Sequence, residues 1–304
     1  MGTARRRPAR DQGVSTGASG GTAAGRLVLV ATPIGNVRDL SPRAADVLRS
    51  ADVVCCEDTR HSGRLFSRLG ITTKRLLSLH GHNEAQRTEE VLRLLEDGLT
   101  VALVTDAGTP AISDPGARVV AAAHEAGAVV SIVPGPSAAV AAVAVAGLSA
   151  ERWCFEGFLP RKGAERTARL AAIAAAPQAV VIYEAPGRVD ALVADLASAC
   201  GGDRLVAVCR ELTKLHEQLW RGPLSLAAGL WPADSARGEF VLVLDAARAP
   251  APAEVSPGEL AAAVERLMAS GLTRRDAVAE AAERAGIARR EVYDALAQSG
   301  PAAS

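Results

Sequence analysis

The chain has 304 residues, 49% of them hydrophobic and only 3% aromatic, so two domains with cores of small aliphatic side chains are expected. Its 34 basic and 34 acidic residues balance, which excludes a global electrostatic attraction to nucleic acid or membranes and leaves only local patches. The 5 cysteines form no C-x-x-C pair, which favours reduced thiols and a cytoplasmic location. No apolar stretch has the length of about 18 residues that a membrane span requires, so no membrane partner is expected.

The start of the chain does not have the pattern of a secretory signal. Its arginines, between Arg5 and Arg10, are followed by Gly, Ser and Ala instead of an apolar core. This composition cannot bury enough apolar surface to fold, so residues 1–25 are predicted to be a disordered tail.

Strands and helical patterns alternate through a predicted first α/β domain, residues 26–147. Ser41 and Pro42 have the residue types of an N-cap and a first helical position, so a helix is predicted to begin there. The alternation predicts a parallel sheet covered by helices on both faces. Short apolar runs predict five strands, at 26–31, 52–56, just before 78, 101–104 and 129–133.

The loop after the fourth strand is longer than a plain connection needs to be. Residues 101–104 are uninterruptedly apolar, and the polar residues Asp106, Thr109 and Ser113 follow before the next helical pattern. Asp114 and Pro115 have the residue types of an N-cap and a first helical position. Most connections have about two to six residues, so the extra length favours a ligand loop over a stiff turn.

Polar residues recur directly after the predicted strands, and in a parallel sheet they would share one edge. Helix capping and turn formation explain the Asp, Asn, Ser and Thr residues, but not Glu57, Arg60, His80 and His82. These positions are Thr32, Asn36, Glu57, Asp58, Arg60, His80, His82, Asn83, Asp106 and Ser137.

The common phosphate-binding motifs are missing from the sequence. There is no G-x-G-x-x-G after the first strand and no G-x-x-x-x-G-K-[ST] anywhere, so neither a dinucleotide fold of the usual kind nor a P-loop is supported. His80, His82 and Glu84 lack a third His or Cys at ligand spacing, so no metal site is predicted.

A second α/β domain with a mixed sheet is predicted for residues 148–246, after a hinge near 147–150. Its start carries a local basic and aromatic patch. RNA contact and a solvated helix beside an aromatic core explain this patch equally well. The patch consists of Arg161, Lys162, Arg166, Arg169, Trp153, Phe155 and Phe158.

The end of the chain predicts a small helical appendage, residues 258–300, after a Pro- and Ala-rich linker at 247–257. Ser256 and Glu259 form a capping box that begins the first of three short helices. Their tight turn resembles a helix-turn-helix. The arginine pairs 274–275 and 289–290 would suit phosphate contacts, and a bundle that only packs on the rest of the protein is the alternative.

Seven ordered motifs resemble the successive signatures of the bacterial small-subunit rRNA cytidine 2′-O-methyltransferases, a family within the tetrapyrrole methylase superfamily. The resemblance extends from about residue 27 to residue 244. The motifs are ATPIGN at 31–36, CEDTR at 56–60, HGHNE at 80–84, the loop 105–116, VPGPSA at 133–138, YEAPGR at 183–188 and RELTK at 210–214.

The resemblance implies a fold of two α/β domains of the tetrapyrrole methylase type with a cofactor cleft between them. It implies S-adenosylmethionine as the methyl donor and a homodimer. The acceptor would be a cytidine ribose in the decoding region of 16S rRNA (cytidine 1402 in conventional numbering), within the small ribosomal subunit. The implied donor contacts are Thr32, Pro33, Gly35, Asp106, Gly108, Thr109, Ser137, Ala138 and Leu212.

A positioned base would help the methylation of a ribose hydroxyl, because a hydroxyl is a poor nucleophile near neutral pH. The candidate bases are Glu57, Asp58, His80, Glu184 and Glu211, which the sequence does not rank. Candidate substrate contacts are Arg60, His82, Asn83, Tyr183, Arg188 and Lys214, although either Arg60 or Arg188 could equally pair with a neighbouring carboxylate.

Two other functions stay open at this point. The superfamily shares its donor site across acceptors, so a methyltransferase that acts on a tetrapyrrole or another small molecule is the first. A module that binds S-adenosylmethionine and responds by binding RNA or protein, without turnover, is the second.

Overall fold

The computed structural model describes residues 25–148, 151–233, 236–247 and 255–299. The predicted tail, apart from residue 25, lies outside the described residues, as do part of the predicted hinge and most of the predicted linker. The division into domains at 26–147, 148–246 and 258–300 therefore stays a prediction. Among the described residues, no helix is both long and apolar enough to span a lipid bilayer.

The first sheet has five strands, all parallel, in the order β3-β2-β4-β1-β5. The predicted parallel sheet is confirmed. The strands are β1 (Arg26–Val30), β2 (Val53–Cys56), β3 (Leu76–Ser78), β4 (Thr100–Leu103) and β5 (Val129–Val133). The helices are α1 (Pro42–Ser50), α2 (Thr59–Arg68), α3 (Glu84–Glu96), α4 (Ala117–Glu125) and α5 (Ala138–Val145).

Alternate side chains of the central strands pack into two separate hydrophobic cores, one on each face of the first sheet. Leu48 of α1 and Phe66 of α2 pack on one face, and Val91 of α3 and Val119 of α4 pack on the other. The Ser41 side chain accepts the Ala44 amide at 3.1 Å, so the predicted cap of α1 is confirmed. Both faces of the centre of the sheet are thus covered, as the apolar runs predict.

The edge strand β5 departs from that expectation. Val129 and Ile132 are exposed. Helix α5, which follows β5, packs Ala139 and Ala142 against Val181 of the second sheet. The last helix of the first α/β unit therefore helps to cover the second sheet.

The second sheet is mixed, as predicted, with the order β6-β7-β10-β8-β9. Only β6 and β7 run parallel, and the other neighbours are antiparallel. Its strands are β6 (Trp153–Phe158), β7 (Ala179–Glu184), β8 (Leu205–Arg210), β9 (Gln218–Pro223) and β10 (Phe240–Leu244). Its helices are α6 (Ala164–Ala175), α7 (Val189–Cys200) and α8 (Leu224–Ala227).

Three helices with a core of their own end the described chain: α9 (Pro257–Ala269), α10 (Arg274–Ala285) and α11 (Arg289–Ser299). The predicted capping box is present, because the Ser256 side chain accepts the Glu259 amide and the Glu259 carboxylate accepts the Ser256 amide. Gly286 ends α10 with φ +67°, a left-handed conformation that glycine adopts without strain.

The predicted cap of α4 is wrong. The helix begins at Ala117, with Gly116 at the N-cap position and φ +127°, instead of beginning at Asp114 and Pro115. The carboxylate that serves the start of α4 comes from Glu84 of α3, which accepts the Gly116 amide at 2.9 Å and the Arg118 amide at 3.3 Å. Because the distant Glu84 side chain satisfies these amides, Asp114 does not cap α4.

Candidate functional site

A cavity of about 370 Å³ lies between the loops that follow the first-sheet strands and one end of the second sheet. Such a position, outside the carboxyl ends of parallel strands, is where α/β sheets bind ligands. From the first unit it is lined by Ile34, Asp106, Ala107, Gly108, Thr109, Ile112, Ser113, Asp114, Ser137 and Ala138. From the second it is lined by Phe158, Tyr183, Glu184, Ala185, Pro186, Cys209, Leu212, Glu239, Phe240 and Val241.

Most of the predicted donor contacts line this cavity. Thr32, Pro33 and Gly35 do not, but Thr32 supports the wall from behind. Its amide donates to the Gly108 carbonyl at 2.9 Å, and its hydroxyl donates to the Thr105 carbonyl at 3.1 Å. The residues that line the cavity as expected are Asp106, Gly108, Thr109, Ser137, Ala138 and Leu212.

The wall that carries Asp106 is tied to its neighbours by hydrogen bonds. Gly108 has φ +91°, a conformation that side chains with a Cβ rarely adopt. The Thr109 hydroxyl donates to the Pro136 carbonyl at 3.1 Å, and Asp106 Oδ1 accepts the Asp58 amide at 3.4 Å. The loops after β2, β4 and β5 are thereby joined at one edge of the sheet.

The first loop of the chain contacts the last motif of the second sheet. A Cβ on Gly35 would lie 2.5 Å from Lys214 Cγ, and the Asn36 amide donates to Thr213 Oγ1 at 3.1 Å. Only a residue without a side chain fits there. The ATPIGN loop and the RELTK loop are therefore packed on each other beside the cavity, although they are far apart in sequence.

Tyr183 and Glu184 carry the second-sheet wall. Tyr183 Oη accepts the Ala139 amide at 3.0 Å, and its ring meets Phe155 and Phe158 edge to face at 4.9 Å and 5.6 Å. Glu184 is only 2% exposed, accepts the Ala185 amide at 2.8 Å and forms an ion pair with Arg188. For Arg188 the structure thus shows the carboxylate pairing that the sequence leaves open.

Carboxylates accumulate where the first-sheet loops meet the cavity. Burial raises the pKa of Asp114, and the charge of Asp106 raises it further. Burial also raises the pKa of Glu57, and Asp106 and Asp114 add to the shift. Since like charges and burial both oppose ionisation, this end of the cavity favours a positively charged or proton-donating group.

Several predicted residues lie outside the cavity lining. The Asp58 side chain caps α2 by accepting a hydrogen bond from the Arg60 amide at 2.7 Å. This bond lowers the pKa of the Asp58 carboxyl. Asn83 accepts the His80 amide at 2.8 Å and donates to the Ser78 carbonyl at 3.2 Å, so it shapes the loop after β3. Arg60 is 88% exposed, with Nε 3.7 Å from Asp58 Oδ1, and His82 is exposed as well.

Glu211 and Lys214 form an ion pair on either side of Leu212, which lines the cavity. Lys214 Nζ lies 2.8 Å from Glu211 Oε1 and 3.2 Å from Glu239 Oε2. Burial alone would raise the pKa of Glu211, but the bonds from Lys214 and from the Glu239 amide outweigh it and the pKa is lowered. Glu211 has φ +54° and Thr213 has φ +65°, so this turn is held in a conformation that is sparsely populated.

The basic residues of the basic and aromatic patch fall into two groups, those with an internal partner and those that are exposed. Arg166 pairs with Asp195 at 2.6 Å, and Arg169 bonds to Glu156 at 2.6 Å, so both guanidinium groups have partners within the second unit. Arg161 and Lys162 are exposed. Two of the four basic residues are thus bound within the second unit, and the other two are exposed to solvent.

Sequence reasoning missed part of the lining. Ile34 and Ile112 lie within motifs, so their position was available, but their apolar side chains gave no chemical signal, whereas Ser113 lies in the loop that the sequence assigns to a ligand. Glu239 and Phe240 reach the cavity because β10 runs antiparallel to its neighbours, and an apolar run does not reveal its direction. Among the described residues, no three His, Cys, Asp or Glu side chains come together as metal ligands.

Comparison with known proteins agrees with this geometry. The sequence profile of the family described as tetrapyrrole (corrin/porphyrin) methylases matches residues 26–228. A protein named ribosomal RNA small subunit methyltransferase I from Synechocystis is 44% identical over 88% of this chain and 96% of its own length. A protein of the same name from Mycobacterium tuberculosis is 46% identical over 90% of this chain and 95% of its own length.

The fold also matches a solved structure. The uroporphyrin-III C-methyltransferase of Thermus thermophilus, complexed with S-adenosylhomocysteine, superposes with a TM-score of 0.53 and 19% identity. The match covers 72% of this chain and 97% of that one. The family profile and the identity to the two relatives show that the chain belongs to the tetrapyrrole methylase family, which uses S-adenosylmethionine as its methyl donor.

Proposed function

We propose that this protein methylates the RNA of the small ribosomal subunit, at the ribose 2′-hydroxyl of cytidine 1402 in conventional numbering. The identity of 44% and 46%, over nearly their whole length, to relatives named ribosomal RNA small subunit methyltransferase I supports the small-subunit RNA as the substrate, and the ribose of cytidine 1402 rests on the motif resemblance. A cytoplasmic location is part of the proposal, because a bacterial ribosomal substrate would be met there.

The residues of the cavity fit the donor. S-adenosylmethionine supplies an electrophilic methyl group on a sulfonium cation. The carboxylate of Asp106 suits the positive groups of such a molecule, and the apolar surfaces of Ile34 and Leu212 suit its flat ring system. Gly108, Thr109, Ser137 and Ala138 would hold it through backbone and hydroxyl groups, since Gly108 leaves space for close approach.

The protein's own groups would contribute mainly alignment. A direct displacement needs donor and acceptor held in line, and the loops of both sheets are braced for this by the Thr109 and Tyr183 hydrogen bonds. Among the candidate carboxylates, Glu57 is the one whose pKa is raised, by burial and by the charges of Asp106 and Asp114, although it does not itself line the cavity. The pKa values of Asp58 and Glu211 are lowered, and Glu184 is held by Arg188.

The RNA would approach over exposed basic and polar side chains instead of the acidic interior. Arg60 lies in the first turn of α2, His82 lies on the loop after β3, and Arg161 and Lys162 lie beyond β6. Arg188 and Lys214 are held in ion pairs, so their contribution would be to fix the loops that meet the substrate. RNA binding by α9, α10 and α11 stays a prediction.

A homodimer fits an apolar surface on the first unit. Val129 and Ile132 of the edge strand β5 are exposed, and Val140 of α5 is 56% exposed. Val145 of the same helix is exposed as well. Large apolar side chains exposed on an edge strand and on the following helix are candidates for burial in a subunit interface. Analytical ultracentrifugation tests this, because a monomer at micromolar concentration would contradict it.

The experiment that tests the function is methyl transfer from S-adenosylmethionine with a labelled methyl group. Small ribosomal subunits from a bacterial strain without the corresponding enzyme are the acceptor, and the modified nucleotide is mapped. Label at the ribose of cytidine 1402 is expected. Label in a tetrapyrrole instead, or donor binding without any transfer, would overturn the proposal in favour of one of the two other functions.

A further inference from the structure

Helix α2 has one face that carries only basic and small residues. Residues three and four positions apart share a face of a helix. Opposite the buried side chain of Phe66, the face of α2 consists of Arg60, Gly63, Arg64, Ser67 and Arg68. The three arginines and the serine are exposed to solvent, and the glycine is half-buried. We call these five residues the basic face of α2.

The charge of α2 differs from that of the other helices. The whole chain is balanced, with 34 basic and 34 acidic residues, but the 10 residues of α2 include neither Asp nor Glu. Among the described α-helices that contain arginine, α2 alone lacks an acidic residue. Arg64 and Arg68 form no ion pair with any residue that the structure describes. The basic face therefore carries positive charge that the described part of the protein leaves largely unneutralised.

Two features of the basic face are unfavourable for the helix itself. Arg60 lies in the first turn, where the positive end of the helix dipole disfavours a cation. Gly63 lies inside the helix, where glycine is less favourable than alanine. A Cβ built on Gly63 would meet no atom within 4 Å, so packing does not require a glycine there. The gap that Gly63 leaves between the arginines gives another molecule room to approach closely.

The basic face begins beside the cavity. Asp58, the N-cap of α2, donates its amide to Asp106 Oδ1 at 3.4 Å, and Asp106 lines the cavity. A helix rises about 1.5 Å per residue, so Arg64 and Arg68 lie about 6 Å and about 12 Å along the axis from Arg60. A long molecule that enters the cavity with one group and continues along α2 would meet all three arginines.

An extended polyanion has the chemistry that fits this face. Arginine side chains bind phosphate groups through charge-assisted hydrogen bonds, and a row of them suits a row of phosphates. A nucleotide whose ribose reaches the cavity continues on both sides into a phosphate backbone. RNA would therefore already lie beside α2, whereas an acidic protein surface would require a separate partner.

We propose that the basic face of α2 binds the phosphate backbone of the small-subunit RNA next to the nucleotide that is methylated. Arg64 and Arg68 would contact phosphates, and Gly63 would let the backbone lie close to the helix. Such contacts fix the position of the RNA and do not read its sequence. This inference rests on the proposed function, since it assigns a surface that holds the same substrate.

The test compares Arg64→Gln, Arg68→Gln and the double variant with the wild type. Glutamine removes the charge and keeps a high helix propensity. Arg93→Gln is the matched control, because Arg93 is 72% exposed and lies on α3, which packs on the opposite face of the first sheet. The Kd for small ribosomal subunits is measured by filter binding at several salt concentrations, with S-adenosylhomocysteine present so that no transfer occurs. The Kd for S-adenosylhomocysteine is measured by calorimetry.

Each single substitution in α2 should raise the Kd for the subunits about 1.5- to 5-fold, as loss of one exposed charge pair does. The double variant should raise it about 2- to 25-fold, since independent contacts combine. The slope of log affinity against log salt should become shallower by about 0.7–0.9 for each arginine removed. Arg93→Gln should change neither value, and every variant should bind S-adenosylhomocysteine as the wild type does.

Gly63→Gln separates RNA contact from a structural role. Glutamine is a better helix former than glycine, and its Cβ has open space, so the free energy of unfolding should not fall. The longer side chain should block the close approach of the backbone and raise the Kd for the subunits about fivefold or more. An unchanged Kd would show that the RNA does not lie against α2 at this position.

A crosslinking experiment identifies the partner of the basic face. A photoactivatable crosslinker is attached at Ser67→Cys, and the wild type treated in the same way gives the background from its own cysteines. Crosslinks to the 16S RNA are expected. Crosslinks to a ribosomal protein, or none above background, would overturn the proposal.

Failure of this proposal differs from failure of the proposed function. If the double variant kept the wild-type Kd and salt dependence, the basic face would not bind the substrate, and the methylation of small-subunit RNA would still stand. A wild-type protein that methylates no small-subunit RNA would instead overturn the proposed function, and this inference with it.

Discussion

The Tyr183 hydroxyl, at the end of β7, accepts a hydrogen bond of 3.0 Å from the Ala139 amide at the start of α5. This bond links the second sheet to the helix that follows the first sheet. Because Ala139 and Ala142 are buried against the second sheet, the bond lies at the edge of an apolar contact between the two units. Because Tyr183 and Ala138 both line the cavity, this contact joins its two walls.

Replacing Tyr183 with Phe should destabilise the protein. The Ala139 amide loses its acceptor at a partly buried position, so the free energy of unfolding should fall by about 0.5–1.5 kcal/mol. Urea denaturation followed by circular dichroism measures it. Tyr293→Phe on α11 is the control, because that residue is half exposed and its replacement should change stability by less than about 0.5 kcal/mol. Equal stability of Tyr183→Phe and wild type would contradict the bond.

Asp106→Ala should weaken donor binding and leave the fold intact. The carboxylate lines the cavity and suits a cation, and loss of a hydrogen bond to a charged group lowers affinity about 10- to 100-fold. Calorimetry with S-adenosylmethionine measures it. Asp46→Ala, at an exposed position of α1, is the matched control. Unchanged affinity for Asp106→Ala would remove this residue from the donor site.

Glu84→Ala tests the origin of the α4 cap. The Glu84 carboxylate accepts the Gly116 and Arg118 amides, so its removal should cost about 0.5–2 kcal/mol of unfolding free energy, as loss of an N-cap does. Glu89→Ala on the same helix α3 is the control, because its side chain is exposed and pairs only loosely with Arg93. If both variants had the stability of the wild type, the cap would have to come from elsewhere.

This cap also shows where sequence reasoning ends. Asp114 and Pro115 have the residue types of a helix start, and local rules cannot know that Glu84, 32 residues before Gly116, already satisfies the amides of α4. Where the cap is local, as with Ser41 and Ser256, the prediction is confirmed. A helix cap from a residue nearby in sequence could be predicted, whereas a cap from a side chain far away in sequence could not.

The two walls of the cavity differ in the same way in how far the sequence predicts them. Its first-sheet wall follows from parallel strands, whose carboxyl ends must share an edge, so Asp106 and Ser137 could be expected to meet. The second-sheet wall depends on the antiparallel direction of β10 and on the bulge before Phe158. The direction of an apolar strand leaves no mark in the residue pattern, whereas the isolated Gly157 inside a strand pattern is a sign of the bulge that sequence reasoning missed.

Asp114→Asn should stabilise the protein, and the gain should depend on pH. Burial first, and then Asp106, raise the pKa of Asp114 above its ordinary value of 3.8, so the folded state holds the proton more tightly than the unfolded state. Below pH 3.8 the carboxyl is neutral in both states and the variant should match the wild type. As pH rises through the raised pKa, the wild type loses stability to the buried charge, whereas the variant does not.

The measurement is the free energy of unfolding of both proteins from about pH 3 to about pH 7, with Asp46→Asn as an exposed control. The advantage of the Asp114→Asn variant over the wild type should grow with pH. The removal of one negative neighbour also relieves Glu57, which adds to the effect in the same direction. A difference that stays constant or shrinks with rising pH would show that Asp114 ionises without hindrance.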